Sequence, residues 1–312
     1  MSAENLILED HMVDEKIAAL KQAFNKLLPE KKDLSEALLA CLLAQGHVLL
    51  EDVPGVGKTT FIKGLAQILG LDMQRVQFTA DLLPADILGI EIFDSHKQDF
   101  RLHKGPIFTN ILLADELNRA SPKTQSALLE AMGEGHVSID RKTWKLPTPF
   151  FVLAAQNPSD HAGTFVIPES QLDRFSLKLK LGYPDEKQER AIFAEAALDP
   201  LAALPHDLIS ASELQLMQRK VESVKANAEL VRCLHSVVLG SRNHEQVSLG
   251  ISTRGGIQWM RLAKALALIA NRNFVIPDDL IALANFCLPH RMIFKVNESE
   301  AVIADLMSKM DI

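Results

Sequence analysis

Five short apolar runs, at 47–50, 73–78, 111–114, 150–155 and 176–181, recur through the first part of this chain, and stretches of helical period lie between them at 34–44, 59–69 and 123–132. Apolar runs of four to six residues read as buried strands. Strands that alternate with helices imply a parallel sheet, because a parallel pair needs a crossover long enough to hold a helix. Asp33, with Glu36 three residues on, predicts a capping box opening the first of these helices. After Gly182 the pattern changes. Helical periodicity dominates at 185–198 behind Pro184, then at 212–224, 228–239, 254–269 and 278–287 behind Pro277, and only short ambiguous apolar runs could form strands. The sequence therefore predicts an α/β domain over residues 1–183, a parallel sheet flanked by helices, followed by an all-helical domain over 184–312.

Composition narrows the function. With 312 residues and 47% hydrophobic side chains there is material for about two cores, and a net charge of -7 disfavours a general nucleic-acid binder, which needs a basic surface to displace counterions. No apolar stretch approaches the roughly 20 residues of a membrane span, and the acidic start 1–10 is unlike a secretory signal, so a cytoplasmic location is expected. Cys41, Cys233 and Cys287 are widely separated among apolar neighbours and read as buried thiols. No HExxH pair or Gly-x-Ser-x-Gly elbow occurs, which argues against zinc-hydrolase and serine-hydrolase chemistry.

The chemistry concentrates at the ends of the apolar runs. The first leads into Glu51-Asp52-Val53-Pro54-Gly55-Val56-Gly57-Lys58-Thr59-Thr60, a phosphate-binding loop that opens a helix. Gly55 and Gly57 allow backbone N–H groups to turn toward phosphates, Lys58 can reach the terminal phosphates, and Thr59 offers a hydroxyl to magnesium. Asp52 occupies the position where the common pattern has its first glycine. A dinucleotide fold is disfavoured, because Thr60 stands where a third glycine would be required. The run 111–114 ends in Asp115-Glu116, suited to a magnesium shell and to polarising a water. The run 150–155 delivers the neutral amide of Asn157, able to orient that water, and Gln171-Leu172-Asp173-Arg174-Phe175 presents an arginine just before the last run. Taken singly, the Asp-Glu pair reads as a solvated loop start, Asn157-Pro158 as a turn, and Arg174 as a surface salt bridge with Asp173.

Together these stretches resemble the AAA+ ATPases, and their wording resembles the MoxR branch. The resemblance rests on the phosphate loop, on Gln77-Phe78-Thr79-Ala80-Asp81-Leu82-Leu83-Pro84-Ala85-Asp86-Ile87, on Gly105-Pro106-Ile107-Phe108 and above all on Ala114-Asp115-Glu116-Leu117-Asn118-Arg119-Ala120. It continues through 123–132, Pro168-Glu169-Ser170-Gln171-Leu172-Asp173-Arg174-Phe175 and Gly250-Ile251-Ser252-Thr253-Arg254, and spans roughly residues 34 to 290. It implies ATP and Mg2+ as cofactors and a homohexameric ring. Arg174 would act as a finger on a neighbouring subunit's nucleotide, and Arg254 as a lid residue sensing the γ-phosphate of its own subunit. Protein clients would be remodelled or matured, in company with von Willebrand factor A domain proteins. The insertions near 78–108 and 135–144 read as pore-facing or partner-facing, with Val137, Ile139 and Trp144 forming an exposed contact edge, or equally as plain extensions of the sheet. Two other motors share the ATPase: a chelatase-like subunit for metal insertion into porphyrin, and a nucleic-acid motor, which the charge disfavours.

Overall fold

The computed structural model describes residues 3–53, 55–140, 142–157, 163–194, 201–296 and 299–310. Along the chain run α1 (Ala3–Leu27), α2 (Lys32–Leu43), β1 (Val48–Glu51), α3 (Lys58–Leu69), β2 (Met73–Gln77), α4 (Pro84–Leu88), β3 (Gly89–Asp94) and β4 (Asp99–Lys104). There follow β5 (Ile111–Asp115), α5 (Pro122–Glu134), β6 (His136–Ile139), β7 (Lys142–Lys145), β8 (Phe151–Gln156), α6 (Glu169–Leu172), β9 (Leu177–Leu179) and α7 (Glu186–Ala194). The remainder is α8 (Ala211–Ser223), α9 (Ala228–Asn243), β10 (Val247–Leu249), α10 (Thr253–Ile269), α11 (Pro277–Cys287), β11 (Ile293–Phe294) and α12 (Ser299–Ser308). The expected alternation of parallel strands and helices is present, and each apolar run holds a strand.

The chain divides into two compact units. One comprises Leu49–Ile167 and Leu179–Ser210, the other Met1–Val48, Pro168–Lys178 and Ala211–Ile312. The main sheet has the order β2-β5-β8-β1-β9. β2 pairs in parallel with β5 and β5 with β8, in a register that sets Gln77 beside Asp115 and Ala114 beside Ala154. Leu49, Leu50, Ile111, Leu112, Val152 and Leu153 have no exposed surface, as strands covered on both faces require. Because the strands are parallel, the loops after β1, β5 and β8 leave the same sheet edge, and ligands of such sheets bind outside those carboxyl ends.

In the other unit, α2 and α10 pack together around Leu38, Leu42, Trp259 and Leu262, with the Trp259 indole donating to the Leu280 carbonyl at 3.0 Å. Cys41 and Cys287 are buried, and Cys233 is half-exposed on α9. No described helix is long and apolar enough to cross a membrane.

Four expectations need correction. Cys233 is not a buried thiol but stands half-exposed on α9. Asp33 does not cap α2: the helix starts at Lys32, its N-cap is Lys31 without a side-chain bond, and Asp33 sits in the first turn, where its charge still favours the helix dipole. The region after Gly182 is not purely helical, since β10 and β11 pair antiparallel. They are only three and two residues long, too short for periodicity to register. Finally, Val137 and Ile139 are not an exposed edge. Both are buried, at 4% and 7% exposure, and Trp144, opposite Val137 in the β6–β7 hairpin, is half-buried. Strand alternation turns Val137 and Ile139 to the covered face of β6 and leaves Ser138 on the exposed one.

Candidate nucleotide site

The phosphate loop is shaped by backbone direction rather than by crowding. Gly55 and Gly57 adopt left-handed φ values of 85° and 88°, yet a Cβ on either would meet nothing within 4 Å. Conformation alone demands glycine there. Gly57 is also the N-cap of α3 and brings no side chain to cap it, so the first turn at Lys58, Thr59 and Thr60 presents N–H groups to an anion. Val56 is buried and anchors the loop, Thr59 is half-buried, Thr60 is exposed, and Pro54 lies outside the described residues. Lys58 Nζ donates to the Asp52 carbonyl at 2.7 Å, which folds the ammonium over the loop. Asp52 is buried, and its carboxylate accepts the N–H groups of Leu181 and Gly182 at 2.6 and 2.9 Å.

At the end of β5, Asp115 accepts from Arg75 at 2.7 Å. Glu116 follows in the left-handed region (φ 54°), a turn that swings its carboxylate away from the strand direction. There it accepts from the Gln77 amide at 2.7 Å and pairs with Arg119 at 3.1 Å. Asn157 follows the last residue of β8 with 7% exposure, and its backbone carbonyl accepts from Asn118 Nδ2 at 3.3 Å. The residues nominated in this unit thus stand on three loops at one edge of one sheet. Arg75, Gln77 and Arg119 were not foreseen. Gln77 and Arg119 lie within the stretches that carry the resemblance but were given no role there, and for Arg75 the available signal was its alternation with Gln77, which puts both side chains on one face of β2.

These residues suit a nucleotide with its metal. Two left-handed glycines, an uncapped helix start and a lysine make an anion cradle. Among the described residues no three His, Cys, Asp or Glu side chains gather to hold a metal by themselves. Magnesium is ordinarily bound through one or two side chains plus substrate phosphates, a role open to Thr59 and Asp115.

Arg174 and Arg254 belong to the other unit. Arg174 is half-buried just after α6, and Arg254 is exposed in the first turn of α10. The residue before Arg174, Asp173, accepts the Ser252 hydroxyl at 2.7 Å. Ser252 is the N-cap of α10 and accepts the Gly255 N–H at 2.8 Å, so one carboxylate ties the Arg174 segment to the turn bearing Arg254. An apolar cavity of about 660 Å³ in this unit, lined by Val221, Leu234, Val238, Ile257 and Met260 among others, includes none of the nominated residues.

A parallel sheet with a phosphate loop, an Asp-Glu strand end and an Asn strand end defines an ATPase-type nucleotide-binding domain, and comparison with known proteins gives it a family. Residues 47–177 match the ATPase family associated with various cellular activities (AAA), and 239–309 match the AAA lid domain. The chain is similar to the Bacillus subtilis protein YeaC, with 45% identity over 92% of each chain. It is also similar to the chaperone MoxR1 of Mycobacterium tuberculosis, with 38% identity over 93% of this chain and 78% of that one. A crystal structure of a protein assigned as an ATPase from Cytophaga hutchinsonii superposes with a TM-score of 0.85 at 34% identity, covering 98% of this chain and 97% of that one. This chain belongs to the MoxR family of AAA+ ATPases.

Proposed function

We propose that the chain hydrolyses ATP with Mg2+ in a homohexameric ring and uses the cycle to remodel or mature client proteins in the cytoplasm, together with a von Willebrand factor A domain partner. The observation that carries this reading is the convergence of the phosphate loop, Asp115-Glu116 and Asn157 at one sheet edge. The loop glycines and the first turn of α3 would hold the phosphates, with Lys58 exchanging its Asp52 carbonyl partner for the terminal ones. Thr59 and Asp115 would hold magnesium, which neutralises charge developing on the phosphates. Glu116, released from Gln77 and Arg119, would take a proton from the attacking water while Asn157 orients it. Arg174 would stabilise the transition state on a neighbour's nucleotide, and Arg254 would report the γ-phosphate. In this assignment residues 1–183 carry nucleotide binding and 184–312 the lid. The kinship to a protein named as a chaperone favours this function over the chelatase and nucleic-acid alternatives.

Subunit mixing tests the reading. Glu116→Gln should bind ATP normally but turn it over about 10² to 10⁴ times more slowly. Arg174→Ala should also retain ATP binding and lose up to about 10³ in rate. Mixed together, the two should regain turnover at those interfaces that combine an intact Glu116 with an intact Arg174. No recovery in mixed rings confirmed by native mass spectrometry would sink the shared site, and normal turnover by Glu116→Gln would move the base elsewhere.

A further inference from the structure

Arg291 belongs to the 3-10 turn Pro289–Arg291 after α11, and its side chain has no exposed surface. Burial of a guanidinium demands that its donors be matched. Its Nη1 donates to the Cys287 carbonyl at 3.0 Å and its Nη2 to the Phe175 carbonyl at 2.8 Å and to Gln258 Oε1, while its Nε makes no hydrogen bond and faces Asp173 Oδ1 as an ion pair at 3.2 Å. His290 Nε2 lies 2.8 Å from the same Phe175 carbonyl. Asp173 and Phe175 are the residues on either side of Arg174. One planar fork therefore holds the chain immediately before and immediately after the nominated finger. Through the second oxygen of Asp173 and the Ser252 hydroxyl, the same hold extends to the N-cap two residues before Arg254.

We infer that Arg291 is a positioning residue for hydrolysis: by holding the Asp173 carboxylate and the Phe175 carbonyl, on either side of Arg174, it aims that side chain. This rests on the proposed role of Arg174. Lysine cannot substitute, because a single ammonium lacks the planar geometry that reaches a carboxylate and a carbonyl together. A guanidinium that only filled the core would affect folding and leave the aim of Arg174 untouched.

The test uses the full chain with MgATP and four proteins: unmodified, Arg174→Ala, Arg291→Lys and the double variant. Arg291→Lys should lower kcat at least tenfold while KM and the affinity for a fluorescent ATP analogue stay within about twofold, and it should cost nothing further in the Arg174→Ala background. Additive losses, or unchanged kcat for Arg291→Lys beside a defective Arg174→Ala, would overturn the inference and leave the reading of Arg174 standing. Normal turnover by Arg174→Ala would instead overturn that reading, and the inference with it. If Arg291→Lys does not fold, Gln258→Leu, which removes only one of the partners holding the guanidinium, enters the same cycle. It should lower kcat at least threefold without additivity, and unchanged kcat there would overturn the inference.

Discussion

Both units hold carboxylates against arginines, but in opposite surroundings. In the sheet unit, the arginines on Asp115 and Glu116 are 48% and 43% exposed. In the helical unit, Arg291 on Asp173 is 0% exposed. Water screens the first kind of pair, which is worth about 1 kcal/mol or less and exchanges readily. In the second only the guanidinium was taken fully out of water when the chain folded, the Asp173 carboxylate at 16% being as exposed as Asp115 at 18%. Losing one partner strands the other, at about 3 kcal/mol. The difference matches the tasks proposed for the two places. Carboxylates that must let go of one partner to meet magnesium or a water are held by weak contacts, whereas arginines that must point in a fixed direction are mounted on a strong one.

The contrast can be broken at several points. Arg291→Met leaves Asp173 with only Ser252, so urea unfolding should show a loss of about 3 kcal/mol. A loss under about 1 kcal/mol would make this pair no different from those at the sheet edge. Lys58→Ala should weaken nucleotide binding at least tenfold, since a charge-assisted contact contributes roughly 1.5–3 kcal/mol, and should leave the melting temperature of the nucleotide-free protein nearly unchanged. Unchanged affinity by calorimetry would show that the loop holds no phosphate.

A subtler test uses acid. Burial first, and then the charges of Arg291 and Lys178, hold His290 well below its ordinary pKa, against a hydrogen bond to Phe175 that pulls the other way. The folded chain thus keeps His290 neutral while the unfolded chain protonates it near pH 6.5. Its contribution is present above that pH and is lost as pH falls toward the depressed folded value, at no more than roughly 1.4 kcal/mol per unit. His290→Gln should flatten the fall in stability between pH 6.5 and 5.5. An identical slope in both proteins would refute the assignment. Least of all, Arg75→Met should change unfolding free energy by less than about 1 kcal/mol, and a larger change would place that pair with the buried one.

The fold was legible because its signals are local. Runs such as 111–114 are apolar on both faces, and a buried parallel strand needs nothing more to announce itself. The left-handed Gly55 and Gly57 were equally readable, because a phosphate loop is one contiguous stretch. What escaped were pairings that only the folded chain makes. Gln77 meets Glu116, and Asp173 meets Arg291, across long sequence separations, and nothing near Arg291 in sequence marks it as the partner of a carboxylate just after α6. The β6–β7 hairpin failed in another way: β-branched alternation was visible, but alternation does not say which face is covered. Helix α1 passed unrecognised although it has 25 residues, and its Val13, Ile17, Leu20 and Phe24 show that the apolar spacing was there to be read.

Asp52 limits which sequence changes this chain can undergo and survive. As a letter in a motif it is a deviation, an acid where glycine is usual. In the folded chain it is a fastener: two backbone N–H groups from the stretch just beyond β9 end on its carboxylate, so the phosphate loop and the strand's exit are stitched at one point. Putting glycine back would leave those two groups unmatched, at about 1–3 kcal/mol for each that stays buried. A route from this loop to the commoner spelling therefore cannot pass through that single change without loosening the exit of β9. The unusual residue is held in place by what it ties down rather than by anything it could do to a nucleotide.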